Sequence, residues 1–435
     1  MIDCSVQANQ QQEPPEDVGK LDAPVAPMQR IMTIDILRGF ALLGILLVNM
    51  EYFNQSALNL VVDLKPPASP LDQAARWFIA FFAEGKFYTT FSFLFGLGMI
   101  IQMGRAGERR ARFGRFWFRR MVVLLGFGLV HAYLFWPGDI LILYSVLGVA
   151  LLLWRKARPR TTLIWAFIFL IVPLVINGVL WGLVKMGEMA MGSAEMERIF
   201  AQQVGDYAVQ AAEADRIYAT GSFLEITQQR ARDMNFMYFT WPFIGFNVLA
   251  AMLLGLYAGK RGVFDNIPGH LPFIRKAWLW GLIIGVIGNA LYVYFGEQAN
   301  RAVPSLANLI SLAGQSFGAP AMAIFYMASL TLLAERAVWR RRLAPLSLVG
   351  RMALTNYLAQ SFICATLFYG YGFGLYGTVG VAGGVALTVV IYAAQVLWSG
   401  WWLRRFRFGP AEWLWRTFTY GKRQSMRLVG ASVAD

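Results

Sequence analysis

Acid–base chemistry has few places to come from in this chain of 435 residues, which holds two histidines. One of them, His131, stands in an apolar run five residues before Trp136. A carboxylate, Asp139, follows across the turn Pro137-Gly138, and Tyr144 lies a little over one helical turn further on. A histidine beside a carboxylate suits a general base, with the carboxylate holding the ring in one tautomer. A cation is expected in the same layer. Glu84-Gly85-Lys86 interrupts another apolar run some ten residues in, about 15 Å at the helical rise of ~1.5 Å per residue. Lys86 could stabilise a developing oxyanion, and Glu84 or Asp139 could balance its charge. Gly85, Gly126 and Gly128 would let backbones approach closely around this layer. Each residue also has a plainer job open to it. Asp139 after Pro-Gly makes a good helix N-cap, an isolated histidine can bond a carbonyl, and Lys86 can sit in a structural pair.

A second polar layer lies nearer the basic ends of the apolar runs. Asp35 and Arg38 are one turn apart and can pair on a helix face. Arg351, Thr355, Asn356 and Gln360 open a later run at similar depth, and Tyr357 with Gln360-Ser361 continues a polar stripe. Asp35, Arg38 and Arg351 are expected to form one paired cluster, since three charges at one depth are less costly together than apart. The alternative is that Arg38 snorkels to headgroups while Asp35 caps its helix.

The elements that must position these groups read as membrane spans. Hydrophobic residues are 57% and charged residues 15% of the chain, where a soluble chain carries about a quarter charged residues. Apolar runs of about twenty residues alternate with short arginine-rich stretches, as transmembrane helices do. Ten spans are expected, at 33–53, 76–103, 114–136, 139–154, 161–185, 238–259, 277–295, 305–334, 352–369 and 381–403. The fourth is short for a ~30 Å hydrocarbon core.

Basic residues alternate from one connection to the next. Arg105, Arg109, Arg110, Arg112 and Arg115 follow the second span, and Arg119 and Arg120 lie just inside the third. Arg155, Lys156, Arg158 and Arg160 follow the fourth, and Arg336 and Arg340–Arg342 follow the eighth. The positive-inside rule then places both termini in the cytoplasm. Residues 1–29 read as a disordered cytoplasmic tail, 30–420 as the transmembrane domain and 421–435 as a second tail. Residues 186–235 form an outer helical loop, with Ile199, Val204, Ala208 and Ala212 spaced as the inner face of an amphipathic cap.

Several function classes are excluded or disfavoured. The net charge of +14 sits at span ends and leaves no basic domain for nucleic acid. Cys4 and Cys364 are too differently placed to pair, and two histidines without a CxxC leave no tetrahedral metal site. No phosphate-binding glycine loop and no tightly bound cofactor is expected. Membrane lipids are the expected surroundings. Gly281, Gly285 and Gly288 line one helix face, which serves helix packing or a homodimer.

The stretches TIDILRGFALLGILLVNM (33–50), GKFYTTFSFLFGLG (85–98), GFGLVHAYLFWPGDILILYSVLG (126–148), GRMALTNYLAQSFICATLFY (350–369) and GPAEWLWRTFTY (409–420) resemble the YeiB family of bacterial membrane proteins. The resemblance implies the bacterial inner membrane. That family looks like a distant relative of the transmembrane acyltransferases, which include the acyltransferase-3 enzymes and heparan-α-glucosaminide N-acetyltransferase. It implies a bundle of about ten spans that passes an acyl group from cytosolic acyl-CoA, as co-substrate, to an acceptor across the bilayer. Asp35-Ile36-Leu37-Arg38-Gly39 is similar to the first-span signature of the acetyltransferase branch, although no histidine stands in the connection after this first span.

On the enzyme reading His131, Asp139, Lys86, Glu84 and Tyr144 are the catalytic candidates. Asp35, Arg38, Arg351, Thr355, Asn356 and Gln360 are the donor-binding ones. The donor's phosphates would lie near Arg340–Arg342 and the amphipathic segment Glu412-Trp413-Leu414-Trp415-Arg416. The alternative is a small-molecule transporter, whose central site would use the mid-bilayer amides Asn247, Asn289 and Gln315. A tunnel from the cytoplasmic side to the His131 layer favours the enzyme.

Overall fold

A backbone away from water must satisfy its own N–H and C=O groups, and a helix does so within one segment. The apolar runs accordingly fold as helices in the computed structural model, which describes residues 31–61, 69–105, 113–299 and 303–427. The expected N-terminal tail, the arginines at 109, 110 and 112, and the last eight residues lie outside that description.

In chain order the helices are α1 (Met32–Asn54), α2 (Ala57–Val61), α3 (Pro70–Phe82), α4 (Lys86–Arg105), α5 (Phe113–Leu134), α6 (Leu141–Ala150, continued by a 3-10 turn), α7 (Pro159–Met191), α8 (Ser193–Thr220), α9 (Phe223–Lys260), α10 (Leu271–Gln298), α11 (Leu306–Ala334), α12 (Ala337–Arg351), α13 (Ala353–Phe368), α14 (Val381–Leu403) and α15 (Pro410–Tyr420). Eight stretches among the described residues are long and apolar enough to cross a membrane, α3 and α4 together forming one of them. The remaining two expected spans are the short segment Leu141–Trp154 and α13. Ile164, Phe167, Ile171, Val175 and Val179 of α7 are exposed, an apolar surface that suits lipid rather than water. The chain is an all-α integral membrane bundle.

The second span breaks where the sequence suggests. Ala83-Glu84-Gly85 separates α3 from α4, and Gly85 takes φ 85°, a conformation that side chains disfavour. Gly281, Gly285 and Gly288 are spent inside the molecule. They lie against α11, where a Cβ on Gly288 would come within 2.5 Å of Gly318 and one on Gly285 within 2.9 Å of the Met322 amide. The stripe is therefore an α10–α11 seam.

Four further expectations change. At 1.5 Å per residue α7 and α9 reach about 50 and 57 Å, so both outrun a ~30 Å core, and α8 packs beside their projecting ends. The buried face of α8 is Ala211, Ala214, Ile217 and Tyr218, whereas Ile199 and Ala212 are exposed. The cap's buried anchor is its last turns, where Asp215 accepts from the Ser56 amide at 2.9 Å and from Asn59 Nδ2 at 2.9 Å. The basic stretch after α11 is no simple loop but the helix α12. Residues 421–427 fold back, with Trp413 Nε1 donating to the Gln424 carbonyl and the Arg407 amide to that of Met426.

Candidate functional site

His131 sits in the last turn of α5, and Asp139 sits just before α6 across the turn between them. The two carboxylate oxygens of Asp139 have separate tasks. Oδ1 accepts the Ile142 amide at 2.8 Å and so caps α6. Oδ2 lies 2.7 Å from His131 Nδ1. The cap and the histidine partner anticipated as alternatives are thus the same residue acting twice. Gly128 makes room for this, since a Cβ there would come within 2.7 Å of the Ile142 nitrogen and 3.1 Å of Asp139 Oδ1. The side chains are 1% and 0% exposed. His131 Nε2 is buried without a hydrogen-bond partner, although buried polar atoms normally have one.

The ring of Tyr357, on α13, lies 5.1 Å from the imidazole and tilted 46° to it. Its buried hydroxyl makes no well-formed hydrogen bond, the Ile140 backbone and Asp139 being its electrostatic neighbours. Tyr357 also lines a cavity of about 260 Å³ that runs towards the arginine-rich end of the bundle. Ile34 and Ile45 of α1 both line it, a span of eleven residues or about 16 Å along the helix. Its bore is apolar, from Leu42, Ile45, Leu94, Phe95 and Leu124. Ile140, Leu141, Tyr144 and Tyr357 line it beside the histidine pair.

The other end is cationic. Arg38, Arg120, Arg351 and Arg416 line it with Asp35 and Glu412. Arg38 Nη1 meets Asp35 Oδ1 at 3.0 Å, and the Arg120 guanidinium stacks 3.6 Å from the Trp415 ring. The α15 helix is held there by Glu412. Its Oε1 accepts the Leu354 amide at 2.6 Å, and its Oε2 accepts the Thr355 hydroxyl at 2.6 Å, which caps α13 from outside. Burial raises the Glu412 carboxyl above its ordinary pKa, partly offset by these hydrogen bonds.

Not every candidate belongs to this site. Tyr144 does line the cavity, its hydroxyl 2.6 Å from Ser92 Oγ. Asp35, Arg38 and Arg351 line it together, as the shared depth suggests. Lys86 is fully buried but donates to the Ala80 carbonyl at 2.8 Å and lies 5.8 Å from the Tyr292 ring. It makes no hydrogen bond or ion pair with His131 or Asp139, and neither it nor Glu84 lines the cavity. The turn before Lys86 directs it towards α10, which removes it as an oxyanion donor.

Thr355, Asn356 and Gln360 are also off the cavity wall. Thr355 holds Glu412, Asn356 Nδ2 donates to Ser399 Oγ at 3.0 Å, and Gln360 Nε2 donates to Gln395 Oε1 at 2.9 Å. They fasten α13 to α14 and α15. Asn247, Asn289 and Gln315 line neither this cavity nor the second one at the opposite end of α1, and Arg340–Arg342 are exposed on α12.

A second cavity of about 280 Å³ lies at the opposite end of α1, where Glu51 Oε1 accepts from Arg76 Nη2 at 2.8 Å. Phe53, packed 4.2 Å from Trp136, belongs to the apolar cluster at that end. Among the described residues no three of His, Cys, Asp or Glu converge as metal ligands. The residues that the sequence left unremarked as site members are Tyr357 and Arg120. The signal for Tyr357 was its place on the polar stripe of α13, and that for Arg120 its position one turn inside a span.

Helices of this length around a buried His–Asp pair and an arginine-mouthed cavity define a polytopic membrane protein with an enclosed polar site. The chain belongs to the YeiB family. It is similar to YxaH of Bacillus subtilis (strain 168), at 35% identity over 420 residues, 91% of this chain and 96% of that one. It is 30% identical over 410 residues to a 39.9 kDa protein from the amylase 3′ region of Bacillus acidopullulyticus, covering 92% of this chain and 96% of the relative. YeiB of Escherichia coli (strain K12) is 29% identical over 402 residues, 90% and 97% of the two chains. Residues 258–422, from the end of α9 to just past α15, match the family described as "Protein of unknown function (DUF418)".

Proposed function

We propose that this protein is a membrane acyltransferase that takes an acyl group from a cytosolic thioester, acyl-CoA, and passes it to a hydroxyl or amine. The observation that carries the reading is the cavity. It joins a mouth of four arginines, chemistry that suits phosphates, through an apolar bore to Tyr357, whose ring lies 5.1 Å from the buried His131 imidazole; His131 and Asp139 stand behind that wall and do not line the cavity. The thioester would enter from the arginine-rich end, which the positive-inside rule puts in the cytoplasm of a cell whose inner membrane holds the bundle. Asp139 Oδ2 holds Nδ1–H, which leaves Nε2 as the free base. Nε2 takes the proton of the acceptor as its oxygen or nitrogen bonds to the acyl carbon and the C–S bond breaks.

A transporter would use the mid-bilayer amides, which, like His131 and Asp139, line neither cavity; what favours the enzyme is that Tyr357 stands between the arginine-mouthed cavity and the imidazole. The test is acyl-CoA binding and turnover by purified protein, with His131→Ala alongside. Loss of a general base lowers turnover by roughly 10²–10⁴ while binding and thermal unfolding stay near wild type. A His131→Ala protein that melts early yet turns over normally per folded molecule would make the residue structural. Failure of the wild type to bind any acyl-CoA would remove the function.

A further inference from the structure

We propose that Tyr357 is the proton relay of this transfer, delivering the proton that the departing thiolate needs; the proposal rests on the acyl-transfer reading. Of the two aromatic rings in contact with the imidazole, Tyr357 at 5.1 Å lines the donor cavity and Trp136 at 6.3 Å does not. A donor in the cavity therefore meets Tyr357 before it meets His131.

The hydroxyl is also conspicuous by its bonding. Tyr144, Tyr218, Tyr376 and Tyr392 are buried too, and their hydroxyls find Ser92, Asp233, Asp215 and the Gly39 carbonyl. Tyr357 has no well-formed bond of that kind, its hydroxyl having only the Ile140 backbone beside it, and His131 Nε2 has no partner. Two buried polar atoms without well-formed bonds, on rings whose centroids are 5.1 Å apart, leave donor and acceptor capacity for a bound group. Their positions are fixed from behind. Asp139 holds the histidine, while Asn356 and Gln360, flanking Tyr357 on α13, are tied to Ser399 and Gln395 of α14.

The step balances without a co-reactant. The acceptor's heteroatom bonds to the acyl carbon and its proton goes to His131 Nε2. The C–S bond breaks with its electron pair on sulfur, and the Tyr357 O–H protonates that sulfur. The phenolate then takes back the proton carried by the imidazolium. Thioester and acceptor become acylated acceptor and free thiol, and both side chains return to their starting states.

The relay matters only if the leaving thiolate is basic enough to need a proton. The experiment therefore compares Tyr357→Phe with wild type on acetyl-CoA and on the acetyl thioester of 4-nitrothiophenol, whose thiolate is stable unprotonated. The isosteric change removes an unsatisfied hydroxyl, so thermal unfolding and acetyl-CoA binding should be retained. The expected result is a loss of roughly 100-fold or more on acetyl-CoA that largely disappears on the aryl thioester. His131→Ala should lose activity on both. An equal loss of Tyr357→Phe on both donors, or no loss on either, overturns the relay while acyl transfer stands. A wild type that turns over neither donor and binds no acetyl-CoA overturns the acyl-transfer reading and the relay with it.

Discussion

At the scale of single residues, Asp139 makes one contact that caps α6 and another, to His131, that the proposed mechanism uses, and substitution separates the two. In Asp139→Asn the amide oxygen can still accept from the Ile142 amide, so the cap on α6 survives. The amide nitrogen would instead donate to His131 Nδ1, which forces the proton onto Nε2 and removes the base. The expected outcome is near-wild-type unfolding in detergent with turnover reduced roughly 10²–10⁴-fold. Asp139→Ala should lose the same activity and in addition about 0.5–2 kcal/mol of stability with the cap. Equal stability of the two variants would show that the cap is idle.

Glu412 gives a pH-dependent counterpart. Its folded pKa lies above its unfolded one because burial outweighs its hydrogen bonds. Its contribution to stability is therefore present in acid and lost as pH rises from the ordinary carboxyl value through the raised one. Glu412→Gln should flatten the melting temperature across that window, and parallel pH profiles for the two proteins would assign the dependence elsewhere.

At the scale of elements, the inner cavity depends on how closely α1 and α12 approach. A Cβ on Gly39 would come within 2.0 Å of the Leu346 carbonyl oxygen, and one on Gly350 within 1.9 Å of the Asp35 carbonyl oxygen. Gly350→Val must push apart the helices that carry Asp35, Arg38 and Arg351. Overpacking of this kind costs about 1–3 kcal/mol, so the variant should melt early and lose acyl-CoA binding together. Retained binding at wild-type stability would mean that the seam does not shape the mouth.

This seam also explains what the sequence could reveal. Span hydropathy, the break at Gly85 and the His131–Asp139 hairpin are local properties, each written within about twenty residues. The placement of Lys86 was not, because it depends on which helix the turn after α3 faces, and α10 is nearly two hundred residues away in the chain. The polar face of α13 was legible as a face, but Asn356 and Gln360 turn to α14 while Tyr357 turns to His131, and only the packing of three helices decides that. The spacing of Ile199, Val204, Ala208 and Ala212 in α8 misled for the same reason. A pattern of small apolar residues shows a helix without showing which of its turns meets a partner.

At the scale of the whole molecule, the proposed chemistry requires a particular orientation. The donor cavity opens among arginines, and acyl-CoA is a cytosolic, membrane-impermeant molecule, so α12 and α15 must lie inside the cell and α8 outside. Positive-inside alternation places the same end in the cytoplasm, since the arginines of α12 and those after α6 flank it, and the donor reading relies on that placement. Single cysteines decide it, introduced after replacing Cys4 and the buried Cys364. Gln202 on α8 and Arg341 on α12 are both exposed and so equally reactive once the membrane is permeabilised. In intact cells an impermeant maleimide should label Gln202→Cys and spare Arg341→Cys, with both labelled after permeabilisation. The opposite pattern would put the arginine mouth outside the cell, where no acyl-CoA pool exists, and the cavity would then have to serve another ligand.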